Sequence, residues 1–332
     1  MHIDFIDRLR CPRCGDALEL EEAASSTTTV ESGTLKCARG AHRYPIVAGI
    51  PRFVPAENYA NNFGWQWQKF RRTQLDSNSG HPISAERFWK ATGWTPAELA
   101  GQWVLDVGCG AGRFAEIALQ AGARLVALDY SRAVDAACAN LRQFTNFHAV
   151  QGDIYALPFA LASFRYVYSL GVLQHTPNVA AAFAALPPVV ESGGRLAVDF
   201  YEQSWKSWLM PKYWLRPLTK RMSQQRLFTV VEKWVPRLLP VARALSRIPK
   251  VGGFLGRVSP VANYYGVLPL TPRQQLEWSL LDTFDWYGPA YDNPQTAATL
   301  RTWASEAGMR GVEIEKAGHL VVRGIVEHAA RD

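Results

Sequence analysis

Val104-Leu105-Asp106-Val107-Gly108-Cys109-Gly110-Ala111-Gly112-Arg113-Phe114 decides the fold. Trp103–Val107 is short, apolar and rich in β-branched residues, which predicts a buried strand. The glycines that follow let the backbone turn sharply and admit a ligand where a Cβ would stand in the way. A helix is expected from about Arg113, its free N–H groups aimed at that ligand. Outward from this point the pattern repeats. Leu125–Leu128 predicts a second strand ending at Asp129, a third runs to Asp153, Phe164–Leu170 is a fourth and Arg195–Phe200 a fifth. Short strands alternating with helical stretches call for a doubly wound α/β fold with a mostly parallel sheet, and ligands sit at its C-terminal strand edge.

The ligand class follows from what surrounds the turn. A dinucleotide site would show G-x-G-x-x-G; here the third glycine comes one residue early and Arg113 occupies its place. Acids stand instead at three successive strand ends, Asp106, Asp129 and Asp153. A carboxylate at Asp129 can accept from both hydroxyls of a ribose, and one at Asp153 from an adenine amino group. Asp106 either meets an amine directly or orders the glycine turn. Such a set suits a cationic ligand with a ribose and an amino-acid tail, and suits a pyrophosphate poorly.

These residues resemble class I S-adenosylmethionine (SAM)-dependent methyltransferases. The glycine stretch is similar to their first motif, Ala127-Leu128-Asp129-Tyr130-Ser131 to their second, and Gly152-Asp153-Ile154 with Leu157-Pro158-Phe159 to their third. Tyr168-Ser169-Leu170-Gly171-Val172-Leu173-Gln174-His175 resembles the segment after the fourth strand, with Gln174 where that segment commonly carries a histidine. The resemblance covers about 103–202 and the last two strands, Gly311–Lys316 and His319–Val326. It implies a Rossmann-like sheet of seven strands with one antiparallel. It also implies a cofactor set of Asp106, Gly108, Cys109, Gly110, Arg113, Asp129, Tyr130, Ser131, Asp153, Ile154 and Leu170. Cys109 contributes only its backbone. His175, just past the fourth strand, could take a proton from an acceptor hydroxyl; the alternative is a histidine that caps the next helix or packs on the cofactor.

The first 55 residues carry a second chemistry. Cys11-Pro12-Arg13-Cys14 is a C-x-x-C knuckle, followed by Cys37 and His42. Four sulfur and nitrogen ligands at such spacing suit tetrahedral zinc, and closed ligation means a structural metal. So short a segment gains from a metal staple. It resembles the zinc ribbon of certain ribosomal RNA guanine methyltransferases, and Tyr44–Pro51 resembles the end of a small zinc-ribbon-like activator domain.

Composition sets the remaining divisions: 1–55 a zinc-ribbon-like domain, 56–100 a helical lid, 101–202 the SAM-binding core, 203–293 a helical basic insertion acting as substrate cap, and 294–332 the end of the core sheet. Within the lid, Tyr59, Phe63, Trp65, Trp67 and Phe70 could cover the cofactor or pack on the zinc domain. Ala23–Thr29 reads as a loop. From Gln203 to Ala262 stand twelve Lys or Arg against one acid, Glu232, so this stretch holds +11 and the rest of the chain −4 of the net +7. Apolar residues from Leu227 to Leu245 recur there at helical spacing, with Pro236 and Pro240 expected to break or kink the helix. Such an element can cap a pocket, lie peripherally on a membrane face, or receive an acidic substrate. Leu281–Tyr291 reads as an aromatic substrate-side loop.

The N-terminus lacks the basic start and apolar stretch of a secretory signal, and a cytoplasmic location with a peripheral membrane contact is expected. Residues 1–60 hold seven Lys or Arg against eight acids, a poor footprint for nucleic acid. The expectation is a methyltransferase for a small-molecule, saccharide or lipid-linked acceptor. The alternatives are a ribosomal or transfer RNA base methyltransferase and a SAM-binding partner protein with little activity. Nothing in the sequence sets an oligomeric state.

Overall fold

The computed structural model describes residues 1–25, 28–40, 42–55, 61–204 and 210–328. The chain opens with a four-stranded antiparallel sheet, β1 (Leu18–Ser25), β2 (Val30–Cys37), β3 (Arg43–Val47) and β4 (Ile50–Pro51). Residues 23–25, expected in a loop, complete β1 and pair with β2; Ser26 and Thr27 lie outside the described residues. Four helices follow: α1 (Asn61–Lys69), α2 (Asp76–Ser79), α3 (Ile83–Thr92) and α4 (Pro96–Leu99).

The central unit then alternates as expected: β5 (Trp103–Val107), α5 (Arg113–Gln120), β6 (Arg124–Asp129), α6 (Ala133–Leu141), β7 (Phe147–Gln151), β8 (Phe164–Ser169), α7 (Val179–Ala184) and β9 (Val190–Phe200). The insertion supplies α8 (Pro211–Thr219), α9 (Gln224–Ser246), α10 (Gly252–Arg257) and α11 (Pro272–Tyr287). α12 (Ala297–Glu306), β10 (Met309–Ala317) and β11 (His319–Val326) close the fold. The large sheet has seven strands in the order β10-β11-β9-β8-β5-β6-β7. β5 to β9 pair in parallel, and β11 runs antiparallel to both β9 and β10.

β5 lies inside the sheet between β8 and β6, and both its faces are apolar, as a parallel strand covered on two sides must be. Successive side chains alternate between faces. Leu105 and Val107 join one core, and Val104 joins the other, with Phe88, Trp94, Phe114 and Tyr168. The first core also takes in Phe5, Leu9, Leu35 and Ile46, so the N-terminal sheet shares its interior with the large one. The His148 ring stacks on Phe5 with centroids 4.5 Å apart, and on Trp103 at 5.8 Å. Burial pushes that imidazole down to about 3, so it stays neutral and packs as an aromatic.

Two expectations for the insertion need correction. α9 runs unbroken through Pro236 and Pro240. Each proline removes one backbone hydrogen bond, yet both face outward while Leu227, Val231, Val235, Leu239 and Ala242 hold the two halves of the helix on one buried stripe. The stretch from Leu281 is also no loop as far as Tyr287, because α11 continues through it. Its start explains its length: Thr271 and Gln274 form a reciprocal capping box with Pro272 in the first turn.

α8 is clamped to the end of α11. Lys212 and Arg216 reach Asp292 at 3.3 and 3.6 Å, with all three side chains nearly buried. The Arg216 guanidinium also donates to the Pro289 carbonyl at 2.8 Å, and the Thr219 hydroxyl to that of Tyr287 at 3.0 Å.

Candidate functional site

At the C-terminal edge of β5 the chain makes the expected turn. Gly108 adopts φ +83°, and a Cβ there would stand 2.4 Å from Val172; Gly110 adopts φ +54°, and a Cβ would meet the Trp67 indole at 3.1 Å. Both positions therefore require glycine. The turn is held by Asp129. One of its oxygens accepts from the Gly110 N–H at 3.0 Å, and the other from the Ser131 N–H and hydroxyl at 2.8 and 2.7 Å. A carboxylate offers about four acceptor directions, so these three bonds leave room for one more.

A cavity of about 780 Å³ opens at this turn, within the roughly 300–1,000 Å³ of small-molecule sites. Gly108, Cys109, Gly110, Arg113, Asp129, Tyr130, Ile154, Leu170 and His175 all line it. Three residues expected there do not. Ser131 is fully buried and serves Asp129. Asp153 lies two residues beyond the end of β7, where its carboxylate accepts from the Tyr155 N–H at 2.9 Å and secures a turn. Asp106 is buried behind the wall, 2% exposed, with Oδ2 lacking any hydrogen-bond partner. Burial pushes its carboxyl up to about 8, against the lowering effect of the neighbouring Tyr168 hydroxyl.

The lid expectation finds a physical counterpart in α1. Trp67 lines the cavity over Gly110, while Trp65 and Phe70 pack on the insertion. Tyr59 and the side chain of Phe63 lie outside the described residues. Arg113 ties the glycine helix to this layer, donating to the Ser84 hydroxyl at 2.9 Å and the Gln74 side-chain carbonyl at 3.1 Å. Burial lowers its guanidinium to about 10, so it stays charged near neutral pH.

The far half of the cavity takes Asp282, Asp285 and Trp286 from the stretch 281–291 expected on the substrate side, and adds residues the sequence did not single out. Tyr201, Tyr264, Trp278, Asp282, Asp285, Trp286 and His319 line it. The rings of His175, Tyr201 and His319 form a row, with centroids 5.5 and 5.1 Å apart. Burial drives His319 down to about 4, leaving it neutral. Asp282 accepts from Tyr264 and, at 3.2 Å, from Gln74; burial raises it to about 6. Asp285 accepts from Gln66 at 3.5 Å. The Nδ1 of His175 stands 2.9 Å from the Tyr291 carbonyl. A carbonyl only accepts, so Nδ1 carries the proton, and in the neutral ring the lone pair lies on Nε2.

A second cluster lies in the N-terminal sheet. The ligand atoms of Cys11, Cys14, Cys37 and His42 all fall within 4.8 Å of one another. Cys11 Sγ is 3.4 Å from His42 Nδ1, and Cys14 Sγ is 3.2 Å from Cys37 Sγ. Tetrahedral zinc, with bonds of about 2.0–2.3 Å, sets its ligands roughly 3.3–3.8 Å apart, so the four residues fit that ion. Tyr44 supports the set from behind, its hydroxyl 3.2 Å from Cys11 Sγ.

Comparison with known proteins bears on the centre of the chain. Residues 105–198 match the family described as a methyltransferase domain. A ubiquinone biosynthesis O-methyltransferase of Aromatoleum aromaticum is 32% identical over 117 residues, 34% of this chain and 50% of that protein. The sterol 24-C-methyltransferase erg6 of Schizosaccharomyces pombe is 26% identical over 196 residues, 57% of this chain and 49% of that protein. Among solved structures, magnesium protoporphyrin IX methyltransferase from Synechocystis PCC 6803 with bound SAH matches at TM-score 0.45 and 16% identity, over 81% of this chain and 97% of that one. The chain spans about half the length of the curated relatives it matches.

Proposed function

We propose that this chain, built around a class I SAM-dependent methyltransferase domain, transfers a methyl group to a hydroxyl of a small or lipid-linked acceptor, a ring or a saccharide. One observation carries the reading: a single cavity runs from the glycine turn, past His175, to a wall of aromatics and carboxylates. When bound, SAM supplies a methyl already activated on a sulfonium. The chain has only to place an acceptor in line and keep water out.

The Gly108–Gly110 turn, Asp129, Tyr130 and Ile154 hold the cofactor, with Trp67 closing over the turn. Asp106 offers a buried carboxylate to a positively charged ligand. His175, oriented through Nδ1 by the Tyr291 carbonyl, receives the acceptor's hydroxyl proton on Nε2. Asp282 and Asp285 accept from other hydroxyls of the acceptor, and Trp278 and Trp286 offer flat apolar faces. The same two carboxylates disfavour a phosphate-rich acceptor such as RNA. Zinc held by Cys11, Cys14, Cys37 and His42 staples the N-terminal sheet and takes no part in transfer.

The test uses SAM labelled in its methyl group, added to cell extracts with and without the protein. Label is expected in the small-molecule, lipid or glycan fraction. Label confined to RNA contradicts the proposed acceptor, and no protein-dependent label in any fraction contradicts the activity.

A further inference from the structure

The insertion is apolar where it should be polar. On α9 one stripe, from Leu227 to Ala242, packs inward. A second stripe, Val230, Trp234, Val241, Leu245 and Ile248, follows at steps of four, seven, four and three residues along α9 and just past its end, beside the buried edge. These five residues are between 39% and 54% exposed. α10 packs on α9 and adds Phe254, 54% exposed. Arg226, Lys233, Arg237 and Arg247, all exposed, border the stripe on its other side. Six exposed apolar side chains on two packed helices, with Arg237 among them, are more than a scattered few and mark an interaction site.

We propose that this face of α9 and α10 lies in the interface of an anionic lipid bilayer. Charge selects the occupant. A second copy of the chain joined through the same patch would bring four more cations into one interface, because a two-fold contact uses the same surface on both copies and so supplies no opposite charge. Glu232 is the only acid between Gln203 and Ala262 to offset them. RNA would answer the charge but not the aliphatic side chains, because bases bind on stacked aromatics and Trp234 is the stripe's one aromatic. A membrane surface answers both: Trp, Leu and Val enter the acyl boundary while Arg and Lys meet acidic headgroups. The contact is peripheral, since no helix among the described residues is long and apolar enough to cross a membrane. The inference does not depend on which acceptor is methylated.

The test is flotation of the full chain with phosphatidylcholine vesicles, with and without phosphatidylglycerol. Binding is expected only with phosphatidylglycerol, weakening as salt rises. Replacing Lys233 and Arg237 together by Gln should weaken it roughly thirtyfold, from about 1 kcal/mol per cation near the surface. Trp234→Glu should abolish it. Both variants touch only exposed positions, so their melting temperature and SAM affinity should match the native chain's. Three results overturn the proposal: no flotation of the native chain with acidic vesicles, equal flotation with neutral ones, or a dimer in solution that Trp234→Glu splits.

Discussion

Asp106 shows how a single residue links burial to function. Its carboxyl is pushed up to about 8 in the fold but would ionise near 4 in an unfolded chain. The folded state holds the proton more tightly, so this group's contribution to stability is whole below about pH 4 and is lost as pH rises through about 8. A cationic ligand nearby favours the ionised form. Binding SAM near neutral pH should therefore release a proton, measurable as a heat that varies with the buffer's ionisation enthalpy, and affinity should strengthen up to about pH 8. Asp106→Asn should remove both effects; a buffer-independent heat in the native chain contradicts the assignment. At His175 the expectation concerns rate. His175→Ala should lower kcat by about 10²–10⁴-fold with little change in SAM affinity, and near-normal turnover at saturating acceptor would remove the base role. The glycine turn, Asp129 and His175 were legible as cavity residues because each lies at or just past the end of a strand. Asp153 stands at the cavity's edge between Gly152 and Ile154, which line it, while its own carboxylate accepts from the Tyr155 N–H. Tyr201, Tyr264, Trp278 and His319 reach the cavity only through tertiary packing, which leaves no mark at neighbouring positions in the sequence.

At the scale of elements, the cap depends on the Lys212–Asp292–Arg216 cluster. Replacing Asp292 by Ala would strand two nearly buried cations, an expected loss of about 3–5 kcal/mol. Denaturant unfolding reads that loss directly, and a change under about 1 kcal/mol would show that the cluster opens to water. In sequence this cluster looked like surface charge, because the buried partner lies some 76–80 positions away. α11 was under-read for another reason. The stretch from Leu281 was expected as a loop, whereas Leu281, Phe284 and Tyr287 keep helical spacing on its buried side and carry the helix on to Tyr287. In the N-terminal sheet, the four ligand candidates were legible from spacing, and the fold brings them together. Purified chain should contain about one equivalent of zinc, and a strong chelator should lower its melting temperature. Less than about half an equivalent, from metal-replete growth, contradicts a structural zinc.

Across the whole molecule, the parallel strands and their order along the chain were readable, because hydrophobic period and turn chemistry agree at each element, whereas the single antiparallel strand followed only from the family resemblance. The joining of parts was less readable. Phe5, ahead of β1, stacks on His148 of β7, and Leu35 and Ile46 of the N-terminal sheet join the same core, so a unit that looked separable by composition contributes to the main core. Loss of the metal should therefore also be felt in the central sheet, as a single melting transition that shifts rather than two that separate. Above all, the cavity at the end of β5 should accept the adenosyl cofactor. Calorimetric titration of the folded native chain with SAM and with its demethylated product is the test. Saturable binding of one ligand per chain is expected for both; no heat and no saturable uptake of either, in a sample with a cooperative melt, would rule the site out.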